Sequence, residues 1–193
     1  VDSLRLDASL LACGLLTTGQ KASMLGSKYR AILLRRHEAD FLGKRCVYDN
    51  VWLPAFFGSY CRHIDLLHRA IDLGTCRTVV DVGANVGQFA WPLLRLFPQV
   101  EVHSFEPNPA AFALLERNAQ GHPRWHVYPR GVSDRAEELT LYYVPGKSAQ
   151  GSVYERFAQE GLPGEPRPVR VPVAPLTLAD PTVDLLKIDV EGH

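Results

Sequence analysis

A buried-strand pattern that ends in an acid and a glycine turn constrains this chain most strongly. Residues 79–87 read VVDVGANVG, and residues 102–109 read VHSFEPNP. Each segment is an apolar run that leads to an acid, Asp81 in the first and Glu106 in the second. Two such runs joined by a helix-length segment are typical of a βαβ nucleotide-binding unit. The sequence therefore predicts an α/β fold built on a parallel sheet.

The spacing of the turn residues indicates the class of ligand. Gly83 and Gly87 are expected where a strand turns tightly into a helix and its backbone passes close to a ligand. A dinucleotide-binding turn would carry a further glycine between them, but Asn85 stands there, which argues against a pyrophosphate. Glu106 at a strand tip suits the two hydroxyls of a ribose, and Asp81 suits an ammonium group. S-adenosylmethionine has a ribose and a zwitterionic tail without phosphate, so it fits this pattern.

Three motifs together carry a family resemblance. They are DVGANVGQF at residues 81–89, FEPNP at 105–109 and LLKIDVEGH at 185–193. In this order and at these separations they closely resemble the FkbM-type family of S-adenosylmethionine-dependent methyltransferases. The resemblance implies a class I, Rossmann-like enzyme that leaves S-adenosylhomocysteine as product. It also implies O-methylation of a sugar, a polyketide or another small metabolite, which is the expected partner molecule.

The chain is predicted to consist of an extension and one catalytic domain. Residues 1–75 carry none of the resemblance and show apolar positions at helical spacing over 4–16, 28–42 and 59–73. We therefore expect a mainly helical N-terminal extension. Residues 76–193 are predicted to form the S-adenosylmethionine-binding methyltransferase domain.

The predicted domain alternates strands and helices as a Rossmann-like, three-layer α/β/α sheet requires. Central strands are predicted at residues 78–82, 101–105, 125–128 and 185–188, helices at 86–97 and 109–118, and further strands at 138–144 and 169–173. A methyltransferase sheet of this kind normally has seven strands, whereas this sequence stops just after the fourth. We therefore expect a domain truncated after its fourth central strand, as a fragment of a longer protein, with an apolar edge through which it could form a homodimer. The alternative is an unusual minimal fold whose apolar edge a partner covers.

The candidate cofactor-binding residues lie at the ends of the predicted strands. Asn108 is expected either to assist the ribose or only to cap the helix that Pro109 begins. Ser133 or Asp134 is expected to bond the adenine, or else to serve as ordinary turn chemistry. The full predicted set is Asp81, Gly83, Asn85, Gly87, Glu106, Asn108, Ser133 and Asp134.

The candidate catalytic residues cluster after the fourth strand. Asp189, Glu191 and His193 follow at the carboxyl end of that strand, where ligands bind in open α/β sheets. His193 is the predicted base toward a hydroxyl, and Asp189 is predicted to orient it or the acceptor. The alternative is that Asp189 only lines the cofactor pocket and His193 is a loop residue. The spacing does not support a metal site.

Composition argues against several other classes of protein. The formal net charge is zero, so no overall field attracts nucleic acid. The longest early apolar stretch, residues 8–16, is far shorter than the ~20 residues that span a bilayer. The four cysteines form no C-x-x-C pair, which predicts reduced thiols in a cytoplasmic protein. An NAD-dependent oxidoreductase and a non-catalytic cofactor-binding domain stay as alternative functions.

Overall fold

Five helices and ten strands make up the part of the chain that the computed structural model describes, residues 3–49, 53–147, 151–154, 164–178 and 182–190. The helices are α1 (Ser3–Ala12), α2 (Thr18–Leu33), α3 (Leu53–Ala70), α4 (Ala90–Leu96) and α5 (Pro109–Ala119). The strands are β1 (Glu38–Phe41), β2 (Lys44–Val47), β3 (Thr78–Val82), β4 (Glu101–Phe105), β5 (Trp125–Tyr128), β6 (Gly131–Val132), β7 (Glu137–Tyr143), β8 (Gly151–Ser152), β9 (Arg167–Ala174) and β10 (Leu185–Ile188).

The central sheet is parallel throughout, with the strand order β10-β3-β4-β5. All four strands occupy the ranges that the sequence predicts. Most residues of β3 and β4 are buried on both faces, as parallel strands at the centre of a sheet require. The predicted α/β class with a parallel sheet is therefore confirmed.

The helix after β3 begins later than the sequence predicts. It spans Ala90–Leu96 rather than residues 86–97, and a turn precedes it. Gly87 has a φ of +89°, outside the helical region, so a right-handed helix cannot pass through it. Pro92 lies in the first turn of α4, where its missing N–H has no helical partner to lose. The predicted start was wrong by about one helical turn.

The central sheet separates two hydrophobic clusters. On the first face, Val79, Val102 and Trp125 join the large cluster that contains the helices. On the second face, Val80 and Phe105 belong to a smaller cluster. The described members of the smaller cluster come from strands and loops rather than from helices. The described residues thus show one helical layer against the sheet, and the second layer of the predicted three-layer arrangement is not among them.

The N-terminal extension contains a β-hairpin as well as helices. The sequence predicts a helix over residues 28–42, but α2 ends at Leu33 and residues 38–47 form the antiparallel pair β1–β2. Leu42 and Gly43 have φ values of +48° and +85°, the two positive values of a tight hairpin turn. The helical prediction beyond Leu33 was wrong, because a short apolar stretch fits either a helix or a buried strand.

Hydrogen bonds join this hairpin to α4 and α5. The Asn118 side chain on α5 accepts the N–H of Val47 at 2.7 Å and donates to the carbonyls of Val47 and Val86. The indole of Trp91 donates to the carbonyl of Phe41 at 2.8 Å. The large hydrophobic cluster includes residues from both sides of the predicted domain boundary. The extension and the central sheet therefore share one core.

A second four-stranded sheet is formed by the residues between β5 and β10. Its strand order is β6-β9-β7-β8, and β7 pairs antiparallel with β9 along its length. The predicted strands at residues 138–144 and 169–173 correspond to β7 and to a longer β9. Their association into a separate sheet was not predicted, because strand pairing depends on contacts distant in sequence.

Strand β10 forms one edge of the central sheet within the described ranges. Leu186 and Ile188 on this strand are 48% and 63% exposed. Both lie opposite buried valines of β3, Val80 and Val82, and so extend the second face of the sheet. Two apolar side chains of this strand are therefore exposed, while the predicted truncation and the predicted homodimer stay predictions.

Candidate functional site

The carboxyl ends of β3 and β10 meet where the strand order reverses. From β3 the sheet continues to β4 and β5 on one side, whereas β10 lies on the other side. Ligands of open parallel sheets bind in the crevice at such a reversal. Asp81 lies near the end of β3, Glu106 follows β4 and Asp189 follows β10. Three of the predicted site residues therefore lie along this edge.

The glycine turn after β3 is fixed by the protein's own packing. Gly83 and Gly87 have φ values of +74° and +89°, and Asn85 between them has a φ of +50°. A Cβ at Gly83 would collide with the backbone carbonyl of Asp189, and a Cβ at Gly87 would collide with the ring of Trp125. Both glycines are therefore required by conformation and by close contacts within the chain. The sequence predicted the tight turn and an approach to a ligand, but not these contacts within the chain.

Glu106 connects the glycine turn to the start of α5. Its Oε2 accepts the backbone N–H of Asn85 at 2.7 Å, and its Oε1 accepts that of Asn108 at 2.9 Å. Burial raises the pKa of Glu106 to about 7, although the two backbone N–H groups favour the charged form. Each oxygen has a second lone pair, so the fixed carboxylate can accept two further donors such as neighbouring hydroxyls.

Asp81 and Lys187 form a buried ion pair between β3 and β10. They are opposite each other in the parallel register, and Lys187 Nζ lies 2.9 Å from Asp81 Oδ1. Burial raises the pKa of Asp81, while the Lys187 ammonium opposes that rise and Asp189 adds to it. Lys187 was not among the predicted site residues. A lysine within an otherwise apolar strand was the sequence signal that could have identified it.

Several buried polar atoms near this edge lack a hydrogen-bond partner among the residues that the structure describes. They are both carboxylate oxygens of Asp81, Nδ2 of Asn108 and Oε1 of Gln88. Lys187 balances the charge of Asp81, yet neither oxygen of Asp81 accepts a well-aligned hydrogen bond. Buried polar atoms are rarely left without partners, so these atoms fit a polar ligand with donor and acceptor groups. Gln88 is a candidate beyond those predicted.

Asn108 caps α5, which begins at Pro109 as the sequence predicts. Its Oδ1 accepts the N–H of Ala110 at 3.1 Å. The cap leaves Nδ2 unused, and this atom is buried beside the backbone that binds Glu106. Asn108 therefore serves as a cap and still has one buried donor to offer.

Asp189 is contacted from the N-terminal extension. The hydroxyl of Tyr60 on α3 donates to Asp189 Oδ2 at 3.1 Å. The ring of Tyr60 packs edge-on against Phe89 and against His63, with centroids 5.9 and 5.5 Å away. In the sequence, Tyr60 is only one apolar position of a helix. Its contact with Asp189 comes from tertiary packing, which the sequence pattern does not show.

The remaining predicted site residues either make turn contacts or lie outside the described residues. Ser133 and Asp134 follow β6, and the Ser133 hydroxyl donates to Asp134 Oδ1 at 3.3 Å. The Ser133 N–H also donates to the carbonyl of Ala174, so Ser133 and Asp134 make turn contacts. Their contact with an adenine stays a prediction. Glu191 and His193 lie outside the described residues, and the role of His193 as a base stays a prediction.

Three further observations concern metals, thiols and membranes. Across the described ranges, no group of three or more histidine, cysteine or acidic side chains is placed to hold a metal ion. The four cysteines are free and buried, and burial raises the pKa of each thiol. No helix in the described part of the chain is both long and apolar enough to cross a membrane.

Comparison with known proteins gives a family match for the part of the chain that carries these residues. The model of the methyltransferase FkbM domain family matches residues 81–193. The match includes the glycine turn, Glu106 and Asp189.

Named relatives agree with this match. The chain is 30% identical over 158 residues to methyltransferase 1 of Beauveria bassiana, and the aligned region covers 67% of this chain and 64% of that protein. It is 30% identical over 148 residues to methyltransferase sdnD of Sordaria araneosa, covering 59% and 56%. It is 43% identical over 80 residues to the 31-O-demethyl-FK506 methyltransferase FkbM of Streptomyces tacrolimicus, covering 41% and 31%. The chain thus spans less than two thirds of each of these relatives.

Proposed function

The chain belongs to the family of FkbM-type methyltransferase domains, and from this premise we propose that it binds S-adenosylmethionine and methylates a hydroxyl of a small molecule. The observation that carries the proposal is the position of Glu106. Its buried carboxylate is fixed by two backbone N–H groups at the end of β4, where the hydroxyls of a ribose would meet two oriented acceptors.

The amino-acid end of the cofactor would lie toward β3 and β10. Asp81 offers carboxylate oxygens that accept no well-aligned hydrogen bond within the described part of the chain, and an ammonium group is the donor that suits a buried carboxylate best. Gly83, Asn85 and Gly87 would shape the backbone around the ligand. Asn108 Nδ2 would donate to the ribose, with Ser133 or Asp134 toward the adenine.

The chemistry asks little of the protein beyond alignment and proton removal. S-adenosylmethionine, when bound, supplies a methyl group that is already activated for in-line displacement. The chain then has to hold the acceptor hydroxyl in line and to take its proton. Asp189, at the carboxyl end of β10, would orient the acceptor, and the hydrogen bond from Tyr60 to one of its oxygens supports this role. We retain His193 as the proposed base.

The proposed acceptor is an oxygen on a small molecule such as a sugar or a polyketide. The name of the Streptomyces tacrolimicus relative specifies a 31-O-demethyl substrate, which supports an oxygen acceptor in this family. Membership of a methyltransferase family also favours methyl transfer over an NAD-dependent oxidation and over a non-catalytic role.

Three broader expectations belong to the same proposal. The four free, buried cysteines support a cytoplasmic location. The exposed apolar residues of β10 support a homodimer through that edge. The division into an extension, residues 1–75, and a methyltransferase domain, residues 76–193, is proposed as a functional boundary only, because the two parts share a core.

Methyl-labelled S-adenosylmethionine tests this function. The protein would be incubated with the labelled compound and a library of sugars and hydroxylated macrolides, and the product would then be treated with alkali. An O-methyl ether keeps its label in alkali, whereas a methyl ester loses it. Label in an alkali-stable product of one compound class supports the proposal. Transfer to a carboxylate would refute the hydroxyl acceptor, and no transfer would favour the non-catalytic alternative.

A further inference from the structure

Lys187 is an unusual residue for its position in the sheet. Its neighbours in β10 are Leu185, Leu186 and Ile188. It lies on the same face as Leu185, which packs against the large hydrophobic cluster, and its side chain is only 16% exposed. A lysine directed toward a hydrophobic cluster loses hydration, so an apolar residue would serve packing better.

The ammonium of Lys187 joins two features at the edge of the sheet. It lies 2.9 Å from Asp81 Oδ1 and donates to the carbonyl of Gly83 at 2.9 Å. It also lies 3.9 Å from Asp189 Oδ2. One side chain of β10 therefore contacts the acid of β3 and the first residue of the glycine turn.

We propose that Lys187 is a positioning residue for the amino-acid end of the cofactor, because it holds the Asp81 carboxylate and the Gly83 carbonyl in place. The inference rests on the proposed function, since it assumes that S-adenosylmethionine binds at this edge. Asp81 then meets the ammonium of the cofactor as an oriented carboxylate, and the turn that borders the ligand keeps its shape.

The charges around Asp81 agree with this role. Asp189 after β10 and Glu106 after β4 are both acidic, and Asp81 is fully buried between them and Lys187. Without the ammonium, burial and these neighbours would favour a protonated, neutral Asp81. A neutral acid binds an ammonium group more weakly than a carboxylate does.

The open oxygens of Asp81 separate this role from a purely structural ion pair. A structural pair in a protein interior is stable when hydrogen bonds satisfy the remaining lone pairs. Both oxygens of Asp81 lack a well-aligned hydrogen bond among the described residues, although Lys187 lies close to one of them. The ion pair therefore neutralises the charge of Asp81 and leaves its carboxylate oxygens available to a further donor.

Two ligands that differ only at the amino-acid end test the proposal. S-adenosylhomocysteine carries the ammonium and carboxylate, whereas 5′-methylthioadenosine carries the same adenine and ribose without them. Calorimetry would measure both dissociation constants for the wild type and for Lys187→Met, which keeps the length of the side chain. We expect Lys187→Met to weaken S-adenosylhomocysteine binding roughly 10- to 100-fold and to leave 5′-methylthioadenosine binding within about twofold.

Two control variants complete the test. Lys187→Arg keeps the charge and should keep most of the preference for S-adenosylhomocysteine. Lys28→Met removes another buried lysine, which pairs with Asp7 between α1 and α2, and should lower stability without changing the ratio of the two affinities. If Lys187→Met is too unstable to purify, Lys187→Gln replaces it, with the same expected loss of preference.

The outcomes distinguish this inference from the proposed function. Equal weakening of both ligands by Lys187→Met, or no weakening of either, would overturn the role of Lys187 while the wild type still binds S-adenosylhomocysteine. A wild-type protein that binds neither ligand would instead overturn the proposed cofactor. The inference is supported if Lys187→Met selectively loses affinity for S-adenosylhomocysteine and Lys187→Arg keeps that affinity.

Discussion

The hydroxyl of Tyr60 donates a hydrogen bond to the carboxylate of Asp189 across 3.1 Å. Tyr60 belongs to α3 of the N-terminal extension, and Asp189 follows β10 at the carboxyl edge of the parallel sheet. The backbone of Asp189 in turn packs against Gly83. The extension therefore reaches the edge at which the candidate cofactor and acceptor residues lie.

Tyr60→Phe should loosen the end of β10. The change removes the hydroxyl and keeps the ring, so we expect a loss of about 0.5–1 kcal/mol in the free energy of unfolding, because the bond is exposed. Amide hydrogen exchange should become faster in residues 185–189. Tyr29→Phe is the matched control, since it removes a phenol–carboxylate bond to Asp7 within the extension. Unchanged exchange in β10, or equal acceleration in the control, would contradict the prediction.

Glu106 should make stability depend on pH. Its pKa is raised from 4.5 to about 7 in the folded protein, so the unfolded state releases the proton first as the pH rises. Folding stability should therefore fall between about pH 4.5 and pH 7, by about 3 kcal/mol, and then level off. Asp81, whose pKa is also raised, acts in the same direction.

Glu106→Gln isolates the contribution of Glu106. Chemical denaturation at several pH values should show a smaller fall in the variant than in the wild type. The same pH profile in both proteins would mean that the pKa of Glu106 is not raised in the folded state.

Asn118 should contribute strongly to stability. It is buried and makes three hydrogen bonds that join α5 to the hairpin and to the glycine turn. Asn118→Ala removes the partner of one buried backbone carbonyl, that of Val86, and of two partly buried groups of Val47, and we expect a loss of about 2–4 kcal/mol in the free energy of unfolding. The exposed amide Gln120 serves as control, and Gln120→Ala should stay within about 0.5 kcal/mol of the wild type. Equal losses in the two variants would argue against the anchoring role.

Continuous apolar patterns and one helix-start signal made much of the fold predictable. The four central strands were predicted with their observed bounds, because each is an apolar run bounded by polar or turn residues. Asn108 and Pro109 likewise located the start of α5. The hairpin at residues 38–47 was missed because its turn, Leu42–Gly43, has no common turn signature and takes its shape within the tertiary structure.

The site residues that could be predicted are acids at the ends of predicted strands, where a carboxylate suits one specific part of a ligand. Glu106 and Asp81 are examples, and the structure places both at the predicted edge. The partners of these residues were not predictable, because Lys187 and Tyr60 reach them from elements distant in sequence. A strand-tip position alone also suggests that Glu106 matters little for stability. Its two backbone hydrogen bonds instead predict that its removal costs stability as well as affinity.

Calorimetric titration of the protein with S-adenosylhomocysteine and with NAD distinguishes the proposed cofactor from its alternative. We predict saturable binding of one S-adenosylhomocysteine per chain and no binding of NAD, because Asn85 replaces the glycine that a pyrophosphate requires. Glu106→Ala should weaken S-adenosylhomocysteine by roughly 1.5–3 kcal/mol, measured on protein shown to be folded. Binding of NAD in preference to S-adenosylhomocysteine, or an unchanged affinity in folded Glu106→Ala, would contradict the account.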